Sequence, residues 1–382
     1  MACNPAVAVP VHKMYEVRAA LPAGRNYGDK LLMSNASILP EKYVVMGGAG
    51  MLGLEIVRQL LARGHTVRVL DLEPLDGRLC EAIVGDIRDA HAVEQACRGM
   101  DVVIQVAAAV WNVRTPRALY KQVNVDGNRV VIDACTKLGV RRLVYTSSMD
   151  VVVDGRKPIV DGDESLPYPT RPPKDAYSRS KIVAEKMVLE ANGPRLCTCV
   201  LRPVGMYGPR DKYHLGNIIG MARRGVSLRL GNGTARFSHA YSENVARAHV
   251  LAAERLVPGS QVCGQCYFIC DYYPPQNLFD FMEPFLGAMD LPVPRRSIPY
   301  PLAYALATLA EVVARHSNFN RFAVIQTCVD HTFVDHKARR ELEYMPIVSR
   351  EEAFRRSMEW LMQEAARAST VTRYSRVSSE VF

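Results

Sequence analysis

The run VVMGGAGMLGLEIVRQLLARG constrains this chain more than any other, because a short apolar stretch gives way to Gly47, Gly50 and Gly53 and then to an amphipathic helical pattern. Glycines at this spacing let the backbone turn sharply out of a buried strand, and they let the following helix pack close to it. The turn leaves the first helical residues, Met51 and Leu52, at the positive end of the helix dipole, where a pyrophosphate is favoured. A second strand pattern ends on an acid, Asp71, eighteen residues after Gly53. A carboxylate there accepts hydrogen bonds from ribose hydroxyls and repels a 2′-phosphate, which predicts NAD ahead of NADP. Arg68 and Arg78 lie near enough in sequence to keep NADP as the second choice.

From about Glu41 onward, short apolar runs alternate with amphipathic stretches, the pattern of β-α units building a parallel sheet. Strands are predicted at Tyr43–Met46, Thr66–Leu70, Ala82–Val84, Val102–Gln105, Arg142–Thr146 and Thr198–Leu201, with a return to the sheet at Tyr267–Cys270. Helices are expected at Leu52–Arg63, at Tyr120–Leu138 with Gly139 as its stop, at Ser242–Leu256 and from Arg350 to Ala366. The fold class is therefore α/β, a Rossmann-type doubly wound parallel sheet with a smaller C-terminal substrate-binding part. Its expected divisions are an N-terminal extension at 1–40, a dinucleotide-binding domain at 41–203, a mainly substrate-binding part at 204–366 that returns to the sheet near 236–270, and a polar tail at 367–382.

Further cofactor contacts follow from position. Asp86, in VGDIRD after the third strand, is placed either to meet an adenine edge with Ile87 beside it or to cap the next helix. Ala107 and Ala108, small residues closing the fourth strand, let the backbone pass close to a cofactor.

The chemical signal is Tyr177-Ser-Arg-Ser-Lys181, whose first and last side chains share one helical face at i and i+4. A free phenol has a pKa near ~10, too high for ready proton exchange at neutral pH, and a neighbouring ammonium stabilises its phenolate. Tyr177 is the expected general acid/base, and Lys181 both tunes it and can hold the nicotinamide ribose, so the pair counts among the cofactor contacts as well. The fifth strand continues as YTSSMDVV, and ligands dock at the C-terminal ends of strands in open α/β sheets. Ser148 is the expected substrate-orienting hydroxyl, with Ser147 or Thr146 as substitutes. Asn124, in QVNVDGN, either positions a relay water or ties backbone groups together.

In order, GGAGMLG, VGDIRD, VNVDGN, YTSSMDVV, YSRSK and LRPVGMYGPRD resemble the motifs of extended short-chain dehydrogenases/reductases over roughly residues 42–362. More narrowly, GDESLPY, RPVGMYGPRD and GNGTARFSHAYSENVARAHVLAAERL resemble the 3β-hydroxysteroid dehydrogenase/isomerase family, in particular its sterol-4α-carboxylate 3-dehydrogenase and 42E-type branches. The resemblance implies an NAD-linked oxidation of a 3β-hydroxyl on a sterol-like, hydrophobic small molecule. It gives Ser148, Tyr177 and Lys181 the triad roles, packs Pro203 and Val204 beside the nicotinamide, and makes a homodimer the expected assembly. Isomerising members carry an Asp-Asp pair where this chain has Asp271-Tyr272, so a Δ5–Δ4 isomerase step is not expected.

Composition narrows the partners. The chain has 382 residues, 48% hydrophobic and 23% charged, enough apolar content for a substantial core. The net charge of +9 comes largely from scattered pairs such as Arg223-Arg224 and Arg295-Arg296, which argues for a solvated surface and against nucleic acid. The ten cysteines form no regular disulfide framework and the lone Cys263/Cys266 pair lacks a second ligand pair, so free thiols, no metal and a reducing, cytoplasmic setting are expected. The apolar stretch Ala6–Val11 is too short for a secretory core. IPYPLAYALATLAEVVAR at 298–315 is too short to span a membrane; it either lies on an intracellular bilayer surface or lines the substrate cavity.

Three functions compete on these residues. A dehydrogenase uses every one of them. A nucleotide-sugar epimerase shares the motifs but needs basic contacts to a diphosphate in the second part, where 281–310 is largely apolar. A non-catalytic NAD(P) sensor would have no need of Tyr177 or Ser148.

Overall fold

Alternating strands and helices of this kind bury both faces of a parallel sheet, and the computed structural model contains one. It describes residues 39–379, except 113–114, 156, 174, 226–227, 272–273 and 314–318, and for 368–379 the backbone alone. The expectations for residues 1–38, Cys3 and Tyr272 lie outside the described residues.

The sheet has seven strands: β1 (Lys42–Met46), β2 (Thr66–Asp71), β3 (Glu81–Val84), β4 (Val102–Gln105), β5 (Arg142–Thr146), β6 (Cys197–Pro203) and β7 (Gln265–Ile269). All pair in parallel, in the spatial order β7-β6-β5-β4-β1-β2-β3. The chain order therefore reverses between β1 and β4, which opens the crevice where ligands bind in such sheets. β1 and β5 are buried almost throughout because both of their faces are covered.

Helices α1 (Met51–Ala62), α2 (Ala90–Cys97), α3 (Asn128–Leu138), α4 (Ala176–Glu190) and α5 (Ser242–Arg255) flank the sheet. One core holds Leu52, Ile56 and Leu60 of α1 with Val45, Val69 and Val245. The other holds Val93 of α2, Val131 of α3 and Ala184 and Val188 of α4 with Val44, Val103 and Leu143.

Two expectations are corrected. The helix expected to run unbroken over Tyr120–Leu138 is composite: a π-helical turn, Lys121–Gly127, precedes α3. Its stop is as expected, since Gly139 adopts φ 71° in the left-handed region that glycine favours. The C-terminal helix does not stop near Ala366, because its backbone runs from Arg350 to Ser379.

Over the C-terminal ends of the strands sit helices His214–Arg223 and Leu278–Ala288, two-stranded parallel pairs, and helices α6 (Tyr300–Val313) and α7 (Arg321–Cys328). Among the described residues no helix is long and apolar enough to cross a membrane.

Candidate active site

The glycine loop leaves no room for side chains. A Cβ on Gly53 would lie 2.0 Å from the Gly47 carbonyl oxygen, and one on Gly47, at φ 84°, would lie 2.7 Å from the Ala107 amide nitrogen. Gly50 caps α1 without a side-chain bond, and the first turn of that helix carries no acidic residue of its own. An anion therefore meets α1 at its bare N-terminus, and the cradle fits a dinucleotide pyrophosphate. Asp71 holds the loop in shape: one carboxylate oxygen accepts the Ala49 amide at 2.9 Å and the other accepts the Glu73 amide at 3.0 Å. Each oxygen keeps a lone pair for another donor.

A cavity of about 1220 Å³ extends from this loop along the strand ends. Gly47, Gly50, Met51, Leu52, Gly53, Asp71, Asp86, Ile87, Ala107, Ala108, Ser148, Tyr177, Lys181, Pro203 and Val204 all line it, so every expected site residue is brought to one place. Asp86 does not cap α2; Asp89 does, accepting the His91 amide at 2.9 Å. Asp86 is instead clasped by Arg88, at 2.9–3.0 Å to Nε and 2.5 Å to Nη2, and this pairing holds its carboxyl below the usual range. Arg68 and Arg78 are both engaged elsewhere. Arg68 pairs with Glu81 at 2.9 Å and donates to the Ala96 and Arg98 carbonyls, while Arg78 pairs with Asp76 at 2.7 Å.

Helix α4 carries the chemical pair. Asp175 starts it by accepting the Ser178 amide at 2.6 Å, a cap typically worth about 1 kcal/mol. Its depth is set by Glu185, fully buried, which pairs with Arg202 of β6 at 2.6 Å and accepts from Tyr168 at 2.7 Å and from Ser147. Tyr177 and Lys181 consequently lie against β5 and are 9% and 3% exposed. Burial pushes the Tyr177 phenol up, the nearby Asp150 charge adds to this, and a hydrogen bond with Ser148 opposes it. Lys181 donates to the Thr146 carbonyl at 2.9 Å and reaches the Tyr145 hydroxyl at 3.4 Å. Burial lowers its ammonium to about 8, with Glu185 and Asp150 pulling the other way.

The structure also separates three neighbouring hydroxyls. Thr146 Oγ1 bonds His249 Nε2 at 2.8 Å and Ser147 is tied to Glu185, so both point into packed networks. Ser148 donates to Asp150 at 2.8 Å and lines the cavity beside Tyr177, where it acts to lower the phenol's pKa. Asn124, within the π-helical turn, bonds both backbone groups of Ala109 and the Ser180 hydroxyl, at 2.8, 3.1 and 2.9 Å. It ties the β4 loop to α4 rather than presenting a free amide. Asp271 accepts the Tyr241 amide at 2.7 Å and Asn244 Nδ2 at 3.0 Å, anchoring the start of α5.

Two site residues carry no sequence signal. Asp150 is buried beside Ser148, accepting that hydroxyl at 2.8 Å and Gln326 Nε2 of α7 at 2.5 Å. Burial raises its carboxyl to about 6, and the Asp175 charge contributes. Arg210, from the loop after the short strand Gly205–Tyr207, donates to the Ala49 carbonyl at 2.8 Å. The wall opposite the strand ends is apolar, with Leu228, Leu230, Phe237, Phe279, Ile298, Leu306, Phe319 and Phe322. Arg295 and Arg296 stay outside it on the exposed surface, and Arg295 pairs with Glu283 at 3.1 Å.

Known proteins match this architecture. Residues 44–302 match the model of the 3-beta hydroxysteroid dehydrogenase/isomerase family. Short-chain dehydrogenase/reductase family 42E member 1 of Danio rerio is 36% identical over 328 residues, covering 80% of this chain and 84% of the relative. The decarboxylating sterol-4-alpha-carboxylate 3-dehydrogenase of Mus musculus is 32% identical over 331 residues, covering 84% and 90%. Among solved structures, MoeE5 in complex with UDP-glucose and NAD superposes with a TM-score of 0.66 at 21% identity, over 85% of this chain and 99% of that one, a likeness of fold. The chain belongs to the 3-beta hydroxysteroid dehydrogenase/isomerase family and is a nicotinamide-dependent oxidoreductase of the short-chain dehydrogenase/reductase type.

Proposed function

We propose that this chain uses NAD to oxidise a secondary alcohol on a sterol or steroid-like substrate, a 3β-hydroxyl, with Ser148, Tyr177 and Lys181 handling the proton. The observation that carries this reading is that Ser148, Tyr177 and Lys181 together line one wall of a cavity whose facing wall is mostly hydrocarbon. Ser148 orients the substrate oxygen, and Tyr177, as phenolate, takes the hydroxyl proton. A buried phenol resists ionisation, so the reaction requires a cation close by, which Lys181 supplies from the next turn of α4. A nicotinamide held in this cavity would supply the acceptor for the hydride that leaves the carbinol carbon.

For the cofactor, Gly47, Gly50, Met51, Leu52 and Gly53 receive the pyrophosphate and Asp71 the adenosine ribose. Asp86 and Ile87 flank the adenine, and Ala107, Ala108, Pro203 and Val204 enclose the nicotinamide. The commitment of Arg68 and Arg78 to other partners supports NAD over NADP. Similarity to the mouse protein named sterol-4-alpha-carboxylate 3-dehydrogenase supports a sterol as the substrate class. The largely apolar facing wall weighs against a nucleotide-sugar substrate; Arg295 and Arg296 lie outside the cavity, and among the described residues Arg210, Lys212 and Arg224 are the arginines and lysines of the second part that line it. A lipid-like substrate also suits α6, which exposes Leu302, Leu309, Val312 and Val313 while Leu306 lines the cavity; this face is proposed to rest on a bilayer surface.

The test is Tyr177→Phe. Turnover is expected to fall by at least about 10³-fold, with NADH affinity, followed by nucleotide fluorescence, within about twofold of native. A variant that keeps most of its activity removes Tyr177 from the mechanism.

A further inference from the structure

Arg210 is held in an unusual way for a surface arginine. Its backbone has φ 71°, the left-handed region that costs a non-glycine residue roughly 1 kcal/mol or more. The surrounding loop enforces that conformation. Asp211, 2% exposed, accepts the amides of Tyr213, His214 and Leu215 at 2.8 Å each and so fixes the start of the helix His214–Arg223. Just before it, Gly208 lies against Ser242, where a Cβ would meet the hydroxyl at 2.5 Å.

The product of this construction is a guanidinium that crosses from the substrate-side loops to the glycine loop, donating to Ala49 at 2.8 Å, a contact between residues 161 apart in sequence. Among the described residues no carboxylate pairs with it, although this chain pairs most of its other arginines near the site, including Arg88 with Asp86 and Arg202 with Glu185. A guanidinium has five N–H donors in a rigid fork suited to phosphate oxygens, and one bond to a carbonyl leaves most of them unspent. It also lines the cavity beside the bare N-terminus of α1.

We propose that Arg210 is a clamp from the substrate-binding part onto the pyrophosphate of the dinucleotide, opposite the helix N-terminus. The proposal rests on the cofactor reading above and adds to it a contact from outside the Rossmann half. Cofactor binding then fixes the loop at 208–215, whose residues Lys212, Tyr213 and His214 also line the cavity, so an ordered cofactor prepares the wall that meets the substrate.

The experiment compares the full-length native chain with Arg210→Met, which keeps the stem and loses the charge, and with Arg210→Lys, which keeps a point charge. Dissociation constants are measured for NADH by fluorescence, and for ADP-ribose and adenosine by competition. For Arg210→Met we expect NADH and ADP-ribose to weaken by about 10- to 100-fold, the range for hydrogen bonds to charged groups. Adenosine, which lacks the pyrophosphate, should change by less than twofold, and Arg210→Lys should recover part of the loss. ADP-ribose binding within twofold of native in Arg210→Met overturns the clamp. Equal losses for ADP-ribose and adenosine also overturn it, since they mark a purely structural latch on Ala49. A native chain that binds neither NADH nor ADP-ribose overturns the cofactor reading itself.

Discussion

The two walls of the cavity are built by different means. On the strand-end wall, polar groups sit in a packed layer with their partners in place: Asp71 on Ala49, Lys181 on Thr146, Glu185 on Arg202, Asn124 on Ala109 and Ser180. The facing wall is assembled from separate short elements and is mostly hydrocarbon, from Leu228 and Phe237 to Phe322. Directional bonds on one side suit a reaction that needs sub-ångström placement of a hydroxyl and a phenol. Apolar contact on the other is non-directional, so it selects a substrate by size and hydrophobicity rather than by a donor-acceptor code. The walls meet at Asp150, where Ser148 of the first and Gln326 of the second share one buried carboxylate.

The strand-end wall can be broken at its cofactor end. Asp71→Ala should lower the preference for NAD over NADP, measured as a ratio of kcat/KM values, by about tenfold or more, because the charge that repels a 2′-phosphate is gone. The loss of its bond to the Ala49 amide should also cost about 1 kcal/mol of stability. An unchanged preference removes Asp71 from the ribose site.

A smaller effect tests the junction of the walls. The Asp150 carboxyl is raised to about 6, so the folded chain holds a proton there that the unfolded chain, with an ordinary Asp near 3.8, has released. Its contribution to stability is therefore greatest below about pH 4 and is lost as the pH rises through about 6. Asp150→Asn should remove that downward trend, amounting to up to about 3 kcal/mol relative to native between those limits. Denaturant titrations at pH 4 and pH 7 measure it, and equal slopes for the two chains would show that the carboxyl is already ionised at acid pH.

What was legible in the sequence follows the same division. The glycine loop, Asp71 and the Tyr177/Lys181 pair could be read because each depends on local spacing: a tight turn, the end of a strand, one helical turn. The choice of Ser148 over Ser147 and Thr146 depended on Glu185 and His249, partners that only the folded chain brings near. Asp150 and Arg210 were missed for the same reason, since their contacts join residues 176 and 161 positions apart. The π-helical turn at Lys121–Gly127 gave no warning either, because its apolar spacing resembles that of an ordinary helix; one extra residue per turn accommodates Asn124 at the β4 loop. The cavity-facing residues of the apolar wall come from short, irregular elements with no periodicity to reveal a common destination.

The most direct measurement is the appearance of NADH absorbance when the full-length chain and NAD meet a panel of 3β-hydroxysterols, 4α-carboxysterols, simple β-hydroxy acids and UDP-sugars. We expect NADH to accumulate with one or both sterol classes and not with the small polar alcohols. Turnover of the UDP-sugars with the sterols inert would contradict the assignment of the apolar wall to a lipid-like alcohol.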